Sequence, residues 1–424
     1  MQVVSAPVLF PSAIADRPGL ALGAAALGIA LLPVLVPKLP GNAAPVDAIL
    51  LLAAGATVLW AGSTGRRLRL PYAVPVTVLV VAGAVAAMLG DFPVRGVLAV
   101  VQDLTLLAWC AVVANLIRTP EAAGVLLRAW AWSATAWAAV LVVALGAGLS
   151  SIAGFEVEGG RAELTFGNPN LAGSYFAVSL LVLWAGRWPR RLLASVGASA
   201  LLVAAILLTG SNAALGSLVA GSLAAWVVSV TRKRGPIAAL AVAIIMVSAA
   251  VLTFLSIDRN DLIDAAERSP TALVRNSLGR TERSGEDRIV QLRQLFGLYR
   301  DNGVVGHGPA ATEQVLLASG APYVREAHND YAAVLVERGM LGGLGLILLI
   351  GSVGIRAVQL SDGLDDRYRR AVRSVYPLIG AAVAVALGSV FHETLHYRHV
   401  WALVAILAGL HLWGRMARAD GKPA

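Results

Sequence analysis

The densest group of charged and proton-binding side chains lies in the stretch Arg325-Glu326-Ala327-His328-Asn329-Asp330-Tyr331. Asparagine and aspartate are typical first residues of a helix, which predicts that a helix begins just after His328. A histidine in that position is usually a capping or packing residue. The charged residues around it favour a functional site instead. An imidazole, with its ordinary pKa of about 6.5, is suited to proton transfer near neutral pH.

A second candidate is Arg288, at the edge of an apolar stripe that begins at Ile289 and continues at steps of three and four residues. This spacing is typical of a helix. Ser284 and the acids after it have the form of a capping box, which predicts the N-terminus of that helix. Because eight other arginines lie between 258 and 329, a solvated arginine is the plainer interpretation of Arg288 alone. The glycine-rich turn 303–308 follows this helix, and its glycines permit close approach of another part of the backbone.

The composition identifies the elements that must hold these residues. Of 424 residues, 58% are hydrophobic and 14% are charged, and the mean hydropathy is +0.74. Soluble domains average about 45–50% apolar and about 25% charged residues. These values exclude a soluble or disordered protein and predict an all-α polytopic membrane protein. The net charge of +9 is spread over short loops, which argues against a nucleic-acid partner, and the single Cys110 excludes an intrachain disulfide.

Twelve apolar runs of about 17–25 residues predict twelve transmembrane helices. They lie near 19–37, 46–63, 73–90, 94–116, 123–149, 170–186, 190–208, 212–230, 236–257, 340–357, 373–391 and 399–414. Alternating loops hold nineteen basic residues on one side of the membrane and four on the other. Because basic residues concentrate in cytoplasmic loops, this distribution predicts a multi-pass protein of the cell inner membrane with both termini in the cytoplasm.

The predicted organisation has three parts. Residues 1–257 hold helices one to nine, with a small external loop near 150–169. Residues 258–339 form a large helical periplasmic loop, and residues 340–424 hold the last three helices and a cytoplasmic end. Glu337 and Arg338 lie either within the bilayer, which is energetically costly, or in a short lateral helix. Glycines at 339, 342 and 343 favour the lateral helix, which would hold His328 at the outer membrane surface.

Three motifs on this topology resemble the O-antigen ligase and polymerase superfamily. Residues 327–331, followed by Glu337-Arg338-Gly339-Met340-Leu341-Gly342, resemble its AHNDYL…ELGLLG signature. Arg288 and the turn at 301–308 resemble its arginine helix and glycine turn, although Gly303 stands where proline is usual. Arg161 with Phe166-Gly167-Asn168-Pro169-Asn170 resembles its third element.

The resemblance implies an inverting, metal-independent glycosyltransferase without a cofactor. It would move a glycan from undecaprenyl diphosphate to an acceptor hydroxyl, on lipid A-core or a similar molecule, at the outer leaflet of the inner membrane. Its partners would be that donor, a lipid or glycan acceptor and membrane lipids. His328 would act as the base, oriented by Glu326 or Asp330, and Arg288 would stabilise the leaving group. The implied substrate-binding residues are Arg161, Arg325, Arg280, Asn170, Asn212, Glu326, Asp330 and Glu337.

One element departs from the family pattern. Thr209-Gly210-Ser211-Asn212 has asparagine where the family has an arginine that is held to contact the lipid diphosphate. An amide can hydrogen-bond a phosphate but adds no charge. Either Arg161, Arg280 or Arg325 replaces that arginine, or the chain uses a different lipid carrier.

Other functions remain open. A glycan polymerase would use the same residues with a lipid-linked glycan as acceptor. A polytopic transporter of a lipid-linked or anionic substrate also fits twelve helices, although the off-centre external loop favours surface chemistry. His392-Glu393-Thr394-Leu395-His396 matches the zinc-protease pattern HExxH, which needs both histidines on one face of a helix. The lack of a suitable third ligand on another span argues against a metalloprotease, and the segment also resembles a stretch of the ligase family. Asp103, within the fourth span, indicates function or, more readily, a structural bond to a neighbouring helix.

Overall fold

The computed structural model describes most of the chain, in the ranges 18–154, 160–256, 264–265, 267–269 and 281–414. Within these ranges the regular structure is helical, and extended pairing is limited to the isolated bridges Leu39–Ala43 and Gly186–Val372. The predicted all-α class is therefore correct for the described residues. Arg280, expected to bind substrate, lies outside them.

We number the α-helices of the described residues in chain order. They are α1 Gly19–Ala30, α2 Pro45–Ser63, α3 Ala73–Leu89, α4 Pro93–Leu116, α5 Pro120–Gly146, α6 Ser150–Ala153, α7 Pro169–Ala185, α8 Leu192–Leu208, α9 Asn212–Arg234, α10 Pro236–Ser256, α11 Thr281–Asn302, α12 Thr312–Ala318, α13 Asp330–Ser361, α14 Tyr376–Gly388 and α15 Arg398–Gly409. Short 3-10 turns lie at Pro40–Asn42, Leu164–Phe166 and Tyr368–Arg370, and a π-helical turn at Leu410–Gly414 follows α15.

Each predicted span contains one of these helices. Among the described residues, α2, α4, α5, α9 and α13 are both long and apolar enough to cross a membrane. The remaining apolar helices are shorter, so the count of twelve crossings stays a prediction. The helix starts follow from local chemistry, because proline fixes φ and lacks the N–H that the first turn cannot use. Proline is the first residue of α2, α4, α5, α7 and α10.

Small residues let the helices pack closely. Helices α9 and α14 meet at Gly221 and Gly380, where a methyl group on Gly221 would lie 2.6 Å from the Gly380 carbonyl oxygen. Helices α3 and α13 meet where Gly345 faces Leu79, whose backbone nitrogen would lie 3.0 Å from such a methyl group. Apolar side chains gain little by leaving lipid, so close backbone contact of this kind is a main source of attraction between membrane helices.

Helix α13 contains a break at Gly339, which has the left-handed φ of +63°. The glycine-rich turn 303–308 packs into this break. The His307 N–H donates to the Val336 carbonyl at 2.9 Å, and the Met340 N–H donates to the Gly303 carbonyl at 3.0 Å. The turn thus forms hydrogen bonds with backbone groups on both sides of the break. Residues 330–338 thus form a segment separate from the apolar helix that follows, and their lateral orientation at the membrane surface stays a prediction.

The predicted start of α11 is wrong. The helix already includes Thr281, so Ser284 lies inside it and not at its N-terminus. Residues 281–283 contain no glycine or proline that would stop a helix, and the capping pattern cannot distinguish an internal serine from a terminal one.

Candidate active site

A polar cavity of about 360 Å³ lies where the start of α13 meets the connection between α14 and α15. Four of the predicted site residues line it: His328, Glu326, Asp330 and Glu337. The other polar lining residues are Lys38, Asn42, Gln102, Asp103, Asn168, Arg338, His392, Glu393, His396 and Tyr397. Residues from widely separated parts of the chain therefore converge on one site.

His328 enters this cavity from just before the N-cap of α13. The Asn329 side-chain oxygen accepts a hydrogen bond from the Ala332 N–H at 3.0 Å, which caps the helix as predicted. The side-chain amide of Asn329 donates to the Val390 carbonyl at 3.0 Å. His328 itself has a left-handed φ of +48°, a conformation uncommon outside glycine. The backbone next to His328 is thus held through Asn329, which caps α13 and also bonds the connection after α14.

Asp330 fastens the same helix start to that connection. One carboxylate oxygen accepts from the Thr394 N–H at 2.8 Å and the Thr394 hydroxyl at 2.7 Å. The other accepts from the Leu395 N–H at 3.2 Å. The Asp330 N–H donates to the Ser389 carbonyl at 2.9 Å. Because both oxygens bind the connection, the contacts favour a positioning role for Asp330 and not orientation of the His328 ring.

The connection from 389 to 397 is not helical. The HExxH interpretation is therefore wrong, because His392 and His396 do not form the one-face pair that this zinc motif needs. No group of three His, Cys, Asp or Glu residues arranged for a metal occurs within the described ranges. The motif failed because residue spacing carries no information about whether the segment is helical.

Three polar atoms of the cavity lining are buried without a hydrogen-bond partner: Nε2 of His392, Oε1 of Glu393 and Nε2 of Gln102. Unpartnered buried polar atoms are uncommon and costly in proteins. A substrate rich in hydroxyl groups could partner all three. None of these three residues is among the binding residues predicted from the sequence; the signal that could have found them is their position at the outer end of predicted spans.

Arg288 lies beside this cavity, on α11. Its guanidinium carbon is 5.2 Å from the centre of the Phe391 ring, within the range of a cation–π contact. Burial lowers the pKa of Arg288, although a guanidinium stays protonated at physiological pH. The positive charge also lowers the pKa of both His328 and His392, which requires Arg288 to lie near both rings. Arg288 and His328 therefore lie near one another beside the same cavity.

The pKa of His328 is below its ordinary value of 6.5, mainly because the ring is buried. The charges of Arg325 and Arg288 lower it further, and Glu313 on α12 opposes them. The imidazole is therefore neutral at pH 7 and able to accept a proton. Glu313 was missed from the sequence, where nothing distinguishes it from other acids of the long loop.

Burial also moves the pKa of the neighbouring groups. It lowers the pKa of His392 to about 3, with Arg288, His328 and Arg161 adding to the effect. The pKa of Glu393 is raised well above its ordinary value by burial and by the nearby Glu337 and Glu326. The cavity therefore combines a neutral imidazole pair with a carboxyl group that favours its protonated form.

Arg161 joins two of the predicted motifs. Its Nη2 donates to the Asn170 side-chain oxygen at 2.6 Å, and its Nε donates to the Thr209 carbonyl at 2.9 Å. Asn212 opens α9 three residues later, after the N-cap Ser211. The buried Arg161 also lowers the pKa of His392, so the cluster lies close to the main cavity.

The remaining predicted residues differ in environment. The Glu337 carboxylate accepts from the Ala310 N–H at 2.9 Å and the Thr312 hydroxyl at 2.7 Å. These contacts hold the segment that follows the glycine-rich turn, and they favour a positioning role. Arg325 is exposed and lies 5.5 Å from the centre of the Tyr323 ring.

Arg338 forms an ion pair of 2.6 Å with Asp103 on α4. This pair corresponds to the structural bond to a neighbouring helix that was the favoured interpretation of Asp103. Because Asp103 and Arg338 both line the cavity, the pair also fixes one wall of the site.

Comparison with known proteins gives one family match. Residues 197–347 match the model of the O-antigen ligase family, a range of just over a third of the chain. It contains Asn212, Arg288 and His328 but excludes Arg161, His392 and Glu393. No curated protein gives a significant match. With its apolar helices the chain is a multi-pass membrane protein. Through residues 197–347, the chain is similar to the O-antigen ligase family.

Proposed function

We propose that the chain is an inverting, metal-independent glycosyltransferase that moves a glycan from undecaprenyl diphosphate to an acceptor hydroxyl at the outer leaflet of the inner membrane. The observation that carries this proposal is the meeting of a neutral His328 with the Arg288 guanidinium beside one polar cavity. The family match supports a lipid-linked glycan as the substrate class.

His328 acts as the base. It takes the proton of the acceptor hydroxyl while that oxygen forms a bond to the anomeric carbon. The bond from that carbon to the diphosphate oxygen breaks, and its electron pair leaves with undecaprenyl diphosphate. Attack from the face opposite the leaving group inverts the anomeric centre. The imidazolium then loses its proton to water. The lowered pKa of His328 supports this role because the ring is ready to accept a proton at pH 7.

Arg288 stabilises the charge that develops on the diphosphate. A guanidinium presents several N–H donors in a fixed plane and matches phosphate oxygens with two hydrogen bonds at once. We propose that Arg325 and Arg161 contribute further positive charge. Asn212, at the N-terminus of α9, adds an amide at a helix end whose dipole also favours an anion.

His392, Glu393 and Gln102 bind the sugar. Their buried, unpartnered polar atoms are suited to hydroxyl groups, and the raised pKa of Glu393 makes it a hydrogen-bond donor as well as an acceptor. The active site faces the periplasm on this proposal, because nineteen basic residues lie in the opposite set of predicted loops.

The test is an assay of the purified full chain with an undecaprenyl-diphosphate-linked glycan and candidate acceptors. His328→Ala and Arg288→Gln are compared with Arg293→Gln, an exposed arginine on the same helix. Transfer that is lost in the first two variants and kept in the control supports the proposal. Full transfer by His328→Ala overturns it. A single added glycan identifies a ligase, and a ladder of products identifies a polymerase.

A further inference from the structure

We propose that a second, arginine-lined cavity at the opposite end of the bundle binds the phosphate groups of an anionic phospholipid that carries two phosphates. The cavity has a volume of about 930 Å³. Its polar and aromatic lining consists of Arg187, Arg190, Arg369, Arg370, Arg373, Asp366, Ser195, Trp184 and Trp188. This site is independent of the proposed glycosyl transfer.

Helix α7 separates the two cavities. Asn168 and Leu171, at its N-terminal end, line the His328 cavity, whereas Leu183 and Trp184, at its C-terminal end, line the arginine cavity. A helix of 17 residues is about 25 Å long at 1.5 Å per residue. The arginine cavity therefore lies across most of a bilayer thickness from His328, and substrate bound at one cannot reach the other.

Two loops that are far apart in the sequence build the arginine cavity. The segment after α7 pairs with the segment before α14 through the Gly186–Val372 bridge. The Arg373 N–H donates to the Ala185 carbonyl at 2.8 Å, and Arg187 Nε donates to the Arg369 carbonyl at 2.7 Å. The pairing brings two arginines of the first loop together with three of the second.

The charge of this cavity is poorly balanced by the protein. Arg369 pairs with Asp366 at 3.2 Å, and Arg190 lies 4.8 Å from the centre of the Trp188 ring. Within the described part of the chain, the guanidinium groups of Arg370 and Arg373 make no hydrogen bond, ion pair or ring contact. Two free guanidiniums beside one cavity can each bind a phosphate through two hydrogen bonds.

Membrane topology alone does not account for this arrangement. The preference for basic residues on one side of the membrane explains why arginines occur in these loops, but not why five of them line one cavity. Arginines of two other loops on the same predicted side contact the protein instead. Arg118 Nη2 donates to the Arg67 carbonyl at 2.5 Å and its guanidinium lies over Trp413, while Arg66 lies over Trp60.

The surroundings favour a lipid over a soluble phosphate. Leu192 and Leu193, at the start of α8, are 77% and 87% exposed, and Ser195 of the same helix turn lines the cavity. Trp184, also part of the lining, is 41% exposed, and tryptophan is enriched where membrane meets water. A ligand whose phosphates bind the arginines would therefore have an apolar surface beside it for acyl chains. Basic pockets at the cytoplasmic side of membrane helices bind such headgroups.

The experiment measures binding of a fluorescent two-phosphate phospholipid of the cardiolipin type to the purified full chain in detergent micelles. Arg190→Gln/Arg370→Gln/Arg373→Gln is compared with Arg66→Gln/Arg67→Gln/Arg69→Gln, which removes the same charge from another loop. We expect binding to weaken by about tenfold or more in the first variant and by less than about twofold in the control, since several charge-assisted hydrogen bonds are lost only in the first.

Two competitors distinguish the source of the phosphates. Phosphatidylglycerol carries one phosphate and should displace the probe less well than unlabelled cardiolipin-type lipid. Inorganic pyrophosphate should displace it only weakly. Equal displacement by pyrophosphate, or equal weakening in the two triple variants, would overturn the proposal. Thermal unfolding of each variant separates lost binding from lost folding. The variant Arg370→Lys/Arg373→Lys keeps the charge but loses the planar guanidinium groups, and it should bind with intermediate affinity.

Discussion

The two ends of α7 handle charge in opposite ways. Around His328 most of the ionisable groups are buried or half-buried and of mixed sign, and the pKa of each of the two neighbouring histidines is shifted. At the other end the arginines are exposed and of one sign. Burial and neighbouring charges both change proton affinity, and they shift the histidine pKa values in the first region. The second can attract an anion through its arginines, and the acid in its lining, Asp366, is paired with Arg369.

Removing the imidazole of His328 is expected to have the largest effect on the difference between the two regions. We expect His328→Ala to lower kcat for glycan transfer by about 10³-fold, within the usual range for loss of a general base. Arg370→Gln/Arg373→Gln, at the other end of the bundle, should leave kcat nearly unchanged. Rates are measured on purified protein at saturating donor. A loss of less than tenfold in His328→Ala would contradict the base assignment.

Removing the charge beside the imidazole should have the next largest effect. Arg288→Gln is expected to lower kcat by about 10²-fold, as for other residues that stabilise a developing negative charge. Arg288→Lys keeps the charge without the planar fork and should recover part of the loss. If Arg293→Gln on the same helix were equally impaired, the effect would belong to the helix surface and not to the diphosphate.

A third comparison sets a buried ion pair against an exposed one. Asp103→Asn leaves the mostly buried Arg338 without its carboxylate and should destabilise the protein by about 3 kcal/mol. Asp366→Asn breaks the exposed pair with Arg369 and should cost less than about 1 kcal/mol. Thermal unfolding in detergent measures both. Equal shifts in the melting temperature would mean that the Arg338 pair is solvated.

The smallest expected effect is a shift of the pH profile. The pKa of His328 is lowered by Arg325 and raised by Glu313. Arg325→Gln should therefore raise that pKa and move the acid limb of kcat/KM to higher pH, whereas Glu313→Gln should move it to lower pH. Shifts of the same sign in both variants would show that another group controls the limb.

Much of the fold could be predicted because its signals are local. Runs of apolar residues set the helix positions, and Asn329 marked the start of α13 correctly. The glycine at 339 likewise indicated a break within the sequence itself. Each of these features depends only on a few adjacent residues, so it can be predicted from the sequence without knowledge of distant contacts.

The site could be predicted only in part, because its contacts join distant segments. His328 and Arg288 were identified through motifs. Nothing local indicates that both oxygens of Asp330 bind residues 394–395, or that Arg338 pairs with Asp103. The zinc interpretation of 392–396 failed for the same reason, since its geometry depends on how the chain leaves α14.

Because α13 is interrupted at Gly339, the direction in which each half of the helix points its side chains is set independently. Hydrogen bonds from the turn 303–308 fix residues 336–340, so the lateral segment does not depend on the membrane segment for its orientation. Inserting one residue below Met340 would turn the downstream lipid-facing surface by about 100°. His328 would keep its position, because the contacts next to it involve residues 329, 332 and 390 and not the part of α13 after Met340. The contacts that hold His328 are therefore separate from the surface that the membrane half of this helix presents to its neighbours.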